Sequence, residues 1–209
     1  MVVRTVLEAA RKAGVETTQL LRAAGLNDWI LRDPSQQILE KFLDTLLVEG
    51  ARMSGMRHFG LMASRHVRPG SFDIVGYTAM NSPDLQEANQ RLSRYWLLIA
   101  NGSALEQTPN SRGAILQFFT PRGWEEAYVA RCEFTVGGWL NFARWITDTD
   151  ISPLQVRFPY PRVEYLEEYD RMFHCPLQFN KHELSVVLGP EALNLPLVLR
   201  NEKLYADFD

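Results

Sequence analysis

Residues 103–120 read Ser103-Ala104-Leu105-Glu106-Gln107-Thr108-Pro109-Asn110-Ser111-Arg112-Gly113-Ala114-Ile115-Leu116-Gln117-Phe118-Phe119-Thr120. Upstream of them, apolar residues recur every three or four positions; here the period drops to two. Residues 103–108 and 114–120 read as strands, and the proline, polar residues and glycine between them predict a hairpin with a short loop. Residues 124–146 follow as a long helix with no internal proline, although Gly137 and Gly138 interrupt it. Two adjacent glycines cost about 2 kcal/mol against alanines, so they predict a bend or a close backbone approach. Beyond them, Leu154, Val156 and Phe158 alternate with polar residues as a strand. A helix is expected over 163–173, then strands over 177–179 and 183–188.

The half before the hairpin reads as helical. Val3, Val6, Leu7, Ala10 and Ala13 form a stripe ending at Gly14. Thr17 or Thr18 is expected to cap a second helix that Gly25 ends. Asp33-Pro34 predicts the start of a third, carrying Ile38, Leu39, Phe42, Leu43, Leu46, Leu47 and Ala51 to about Met53. Short helices are expected at 59–63 and 72–80. Ser82-Pro83 predicts the start of a helix bearing Leu85, Ala88, Leu92, Tyr95, Trp96 and Ile99. The expected fold is α+β: a helix-rich N-terminal half, then a small, mainly antiparallel sheet packed with long helices.

Composition narrows the class. The chain has 209 residues, 22 basic and 25 acidic, with a net charge of −3 and 46% hydrophobic residues. It has no overall basic excess of the kind that marks a nucleic-acid binder. Cys132 and Cys175 are too few for a disulfide scaffold and fit a reducing, cytoplasmic setting. No apolar run approaches the roughly 20 residues of a membrane span. No phosphate loop, dinucleotide fingerprint or nucleophile elbow occurs. His58 and His66 read as surface histidines. His174, Cys175 and His182 lack paired metal-ligand spacing, so no metal and no cofactor is expected. Glu125-Glu126 and Glu167-Glu168 read as helix-start or polar-face carboxylates. The reading is a non-enzyme.

The long helix carries the candidate site. Trp124, Tyr128, Cys132, Thr135, Trp139 and Phe142 share one face, bordered by Arg131 and Glu133. Tyr95, Trp96, Phe118 and Phe119 can supply facing walls. An aromatic stripe at helical spacing is either plain core or the wall of a mostly apolar ligand pocket. The pocket residues expected are Trp96, Phe118, Tyr128, Arg131, Glu133, Thr135 and Trp139. A cationic guest would meet aromatic faces and Glu133.

Several segments resemble one family in order: Ala23-Ala24-Gly25-Leu26, Phe59-Gly60-Leu61, Gly76-Tyr77 and Asn81-Ser82-Pro83-Asp84-Leu85-Gln86-Glu87-Ala88. Then come Pro153-Leu154-Gln155-Val156-Arg157-Phe158, Phe173-His174-Cys175-Pro176-Leu177-Gln178-Phe179 and Glu183-Leu184. Together they resemble the N-terminal effector-binding, arabinose-binding-like domain of AraC-type bacterial transcription regulators. The branch is that of ornithine-utilisation and quinohemoprotein amine dehydrogenase operon regulators. Met62 departs from the basic residue often found there. The resemblance implies that residues 1–200 bind a small organic effector (an amine, amino acid or similar) and dimerise. It implies that 201–209 begin a linker to a DNA-binding domain with two helix-turn-helix units, absent from this chain. In a second reading, a module that only dimerises, the N-terminal helices and an exposed strand such as 184–188 can pair across a two-fold axis. The alternatives are a dimerisation module without ligand, and an enzyme with an unfamiliar site.

Overall fold

The computed structural model describes residues 2–27, 40–100, 102–122 and 125–199. The expected helix start at Asp33-Pro34 with Ile38 and Leu39, the position of Trp124, and residues 201–209 lie outside them.

The N-terminal helices follow their stripes. Helix α1 (Val2–Lys12) buries Val3, Val6, Leu7, Ala9 and Ala10, and Gly14 after it takes φ +79°. Helix α2 (Thr17–Ala23) is capped by Glu16, whose carboxylate accepts from the Gln19 N–H, not by either threonine. Helix α3 (Glu40–Ser54) and the six-residue α4 (Phe59–Ser64) follow. A 3-10 turn at Pro69–Phe72 leads into α5 (Asp73–Ala79). Helix α6 (Leu85–Ile99) starts two residues later than Ser82-Pro83 implies. Its cap is Asp84, which accepts from the Glu87 N–H at 2.9 Å.

Strands β1 (Ala104–Asn110) and β2 (Gly113–Phe119) form the hairpin. The strands reach further into the turn than expected, so that Pro109 pairs opposite Ala114. Proline is tolerated there because β1 is an edge strand and needs no outward N–H. Asn110 Oδ1 accepts from the Arg112 N–H and closes the turn. Helix α7 (Glu125–Thr147), β3 (Gln155–Arg157), α8 (Leu166–Phe173), β4 (Leu177–Gln178), β5 (Leu184–Leu188) and the short α9 (Pro190–Leu193) complete the order. Helix α9 stands where no element is expected from the sequence.

The sheet runs β1-β2-β5-β3-β4, antiparallel except for the β3–β4 pair. This is the α+β architecture expected. The 184–188 strand is not available for pairing across a dimer axis. It lies between β2 and β3, bonded on both edges, and all five of its residues are buried. Periodicity reveals that a strand is apolar; its neighbours are chosen by residues far away in the chain.

The glycine pair in α7 marks a close approach. A Cβ on Gly137 would lie 2.4 Å from Ser64 Oγ, and one on Gly138 would lie 3.0 Å from Val67 Cγ2. On the facing helix, a Cβ on Gly60 would lie 2.4 Å from the Ala130 carbonyl oxygen. Helices α4 and α7 thus meet through glycines on both sides. Gly60→Ala is expected to destabilise the protein by about 1–3 kcal/mol, because backbone must move to admit one methyl. Urea denaturation of the variant measures it; an unchanged midpoint would contradict this contact.

Candidate functional site

Helix α7 presents three surroundings on three of its faces, and the seven candidate residues divide among them. The first faces α6 and the hairpin. Trp96, Phe118 and Trp139 lie in a row, with ring centroids 5.9 and 6.1 Å apart in edge-to-face contact. They are 5%, 3% and 1% exposed. Their polar atoms are satisfied inside: Trp96 Nε1 donates to Ser103 Oγ and Trp139 Nε1 to Asn89 Oδ1, both at 3.0 Å. Phe118 points inward and Phe119 outward because successive strand residues alternate. Tyr128 and Thr135 are half-buried on this same side of the helix. Burial raises the Tyr128 phenol above its ordinary pKa, and the Arg122 guanidinium sits 5.8 Å from its ring. Cys132 between them is buried, 3.7 Å from Thr120 Oγ1, and burial pushes its thiol up to about 12. It is therefore a packed thiol and not a nucleophile.

The second surrounding faces α3. Arg131 pairs with Asp44 at 2.7 Å, with both side chains largely out of water. Burial raises the Asp44 carboxyl more than the guanidinium lowers it. The pair is thus an internal clasp between α3 and α7 whose desolvation cost is substantial.

The third surrounding faces α4 and α8, and it holds Glu133. This carboxyl is fully buried. Its Oε1 accepts from Tyr165 at 2.8 Å and Tyr169 at 2.7 Å, and Tyr169 is 3.0 Å from the Tyr160 hydroxyl. Among the described residues, Oε2 makes no hydrogen bond of normal geometry, although the Leu61 N–H faces the carboxyl. Burial outweighs these donors and lifts Glu133 to about 7. Around the tyrosines, Phe158 packs against Tyr160, Tyr169, Phe173 and Phe179 at centroid distances of 5.1–5.6 Å.

The structure therefore brings Trp96, Phe118 and Trp139 together and separates them from Glu133. Two residues along a helix turn about 200°, so Glu133 and Thr135 cannot share a wall. Sequence reasoning missed Asp44, Asn89 and the three tyrosines. The i, i+4 spacing of Tyr165 and Tyr169 on one helix was the available signal.

A half-open groove of about 350 Å³ lies at the C-terminal end of α7, lined by Met80, Trp145, Ile146, Asp148, Val198 and Leu199. The Val198 N–H donates to the Ile146 carbonyl at 2.9 Å, fixing the chain against the last turn of α7. None of the expected site residues lines it.

The remaining candidates are structural. Glu167 and Glu168 pair with Arg171, and Glu168 also with Arg65, at the surface. His58 and His66 are half-buried, not fully exposed. Burial first, then Lys12, lowers the His66 pKa. Among the described residues, no group of three or more His, Cys, Asp and Glu could hold a metal, and no helix is long and apolar enough to cross a membrane.

This architecture is shared with a transcription regulator. The transcriptional regulator CdpR from Pseudomonas aeruginosa superposes with a TM-score of 0.65 at 14% identity, over 90% of this chain and 58% of that one. Residues 14–197 match the arabinose-binding domain of AraC transcription regulators, an N-terminal domain, and the chain belongs to that family. The ornithine utilization regulator of Pseudomonas aeruginosa is 20% identical over 195 residues, covering 93% of this chain and 58% of that protein. The chain thus spans somewhat over half the length of these relatives.

Proposed function

We propose that this chain is the ligand-sensing part of an AraC-type regulator. In this reading residues 1–200 bind a small organic effector, an amine, amino acid or similar molecule, and dimerise. Residues 201–209 lead towards a helix-turn-helix portion through which DNA is bound in the cytoplasm. The domain performs no catalysis. The observation that carries the reading is the family match over residues 14–197. The relative that regulates ornithine utilisation lends weight to a nitrogen-bearing effector.

The proposed site opens at Tyr128 and Thr135, the half-buried pair, with Arg131 beside them at helical spacing. Trp96, Phe118 and Trp139 form its apolar floor, and Glu133 acts from the far side of α7. An effector works here by population shift: it binds one arrangement of the domain better, by about 1–3 kcal/mol, and so biases the attached DNA-binding parts.

Titration with a panel of amines and amino acids tests this, read by tryptophan emission and thermal melting. At a hundredfold excess over Kd the ligand adds about 2.7 kcal/mol, which raises Tm by about 5–10 °C in a domain of this size. If an effector that activates the intact regulator moves neither signal, the reading fails. The close packing of Trp96, Phe118 and Trp139 favours a second reading, a dimerisation module without ligand. That reading predicts a concentration-dependent dimer and a flat titration.

A further inference from the structure

Helix α8 is fastened to α7 and α4 through one buried acid. Glu133 reaches between the two neighbouring helices, and Tyr165 and Tyr169, one turn apart, both end on its Oε1. Among the described residues, the groups acting on its charge are these hydroxyls and the Leu61 N–H, and none is a cation. Buried carboxylates are ordinarily paired with a positive group, and one that is not strongly favours its neutral form. We propose that Glu133 is a protonation-controlled latch: neutral, it holds α8 against α7 and α4, and ionised, it loosens that helix.

The hydrogen-bond chain has a place for the proton. In the ionised state Tyr165 and Tyr169 both donate to Oε1, and Tyr160 can donate to Tyr169. When Glu133 takes a proton from water, its O–H donates to the Tyr169 oxygen, Tyr169 turns its own proton to Tyr160, and the Tyr160 O–H rotates away from Tyr169 and gives up that acceptor. The Tyr160–Tyr169 contact allows either donor. No heavy atom need move for this reversal. Ionisation instead leaves a negative charge in the aromatic cluster of Phe158, Phe173 and Phe179.

The other groups facing the latch hold their charge or can be controlled. Burial raises the phenols of Tyr160, Tyr165 and Tyr169 far above their ordinary range, so they remain donors. Cys132 on α7 is likewise held as a thiol. Arg57 pairs with Glu164, and Arg65 and Arg171 with Glu168, at the solvent rim. Arg131 turns to Asp44. His58, whose ring centroid is 6.0 Å from that of Tyr165, needs its own control. Because Glu133 is raised to about 7, the docked state is favoured at low pH and lost as pH rises through that value.

This inference does not depend on an effector. Hydrogen exchange of residues 163–173 in the full chain tests it, corrected for intrinsic rates, between about pH 6 and about pH 8.5. Protection of α8 should fall on the order of tenfold across that range while β5 stays protected. Glu133→Gln should hold the low-pH protection throughout, and His58→Gln should behave as the parent. Tyr165→Phe removes a donor to the carboxylate, so it should move the midpoint to higher pH. That variant decides the matter if Glu133→Gln does not fold. A flat parent profile, a fall that persists in Glu133→Gln or vanishes in His58→Gln, or an unmoved midpoint in Tyr165→Phe would overturn the latch.

Discussion

Trp139→Ala is expected to cost about 3–5 kcal/mol of folding stability. The ring is 1% exposed, edge-to-face with Phe118 and hydrogen-bonded to Asn89. Truncation removes the apolar contacts and opens a cavity that α6, α7 and the hairpin cannot close together. It also orphans Asn89 Oδ1, on a side chain whose Nδ2 already lacks a partner among the described residues. Trp139→Phe separates the two effects. It keeps an aromatic ring in the row but gives up the indole N–H and the five-membered ring's volume, so a smaller loss of about 1–3 kcal/mol is expected. Urea denaturation followed by circular dichroism measures both. If the alanine variant unfolds within 1 kcal/mol of the parent (roughly the scatter of such comparisons), the row of rings does not organise the core.

The second large effect is expected at Arg144, near the end of α7. Its Nε and Nη2 donate to the Ile151 carbonyl at 3.0 and 2.8 Å, and its Nη1 to the Met172 carbonyl at 2.9 Å. Ile151 and Met172 are both 3% exposed. One guanidinium therefore joins α7, the loop after it and the end of α8. Burial lowers the Arg144 pKa, with Asp150 acting against that. Arg144→Ala leaves two inward carbonyls without donors and is expected to cost about 3 kcal/mol or more. Arg144→Lys keeps the charge but cannot span both acceptors with one planar fork, so it should recover only part of the loss. Equal stability of the lysine variant and the parent would mean that charge alone holds the junction.

What the sequence revealed follows the range of the forces involved. Helices α1, α6 and α7 were legible because their stripes are local, and the hairpin because its alternation and turn residues are contiguous. The caps of α2 and α6 were misplaced by one or two residues, since Glu16 and Asp84 compete with threonine and serine for the same N–H groups. The central position of β5 was not legible, because pairing with β2 and β3 is decided across some 30 to 70 positions of chain. Helical spacing places Trp139 on an aromatic stripe of α7, whereas Trp96 on α6 and Phe118 on β2 enter only as possible facing walls. Glu133 was placed beside them although the helix turns it towards α4 and α8. Asp44 was invisible as a partner of Arg131, being 87 residues away.

The glycine contacts between α4 and α7 limit how the molecule can deform. Gly60 seats against Ala130, Ser64 against Gly137 and Val67 against Gly138, like teeth in a rack. Sliding one helix along the other by a turn, about 5.4 Å, would carry Ser64 off its notch and onto a full side chain. Shear along this seam is thereby blocked. The two helices must travel as one beam, and strain entering at either end of α7 arrives at the other as a tilt.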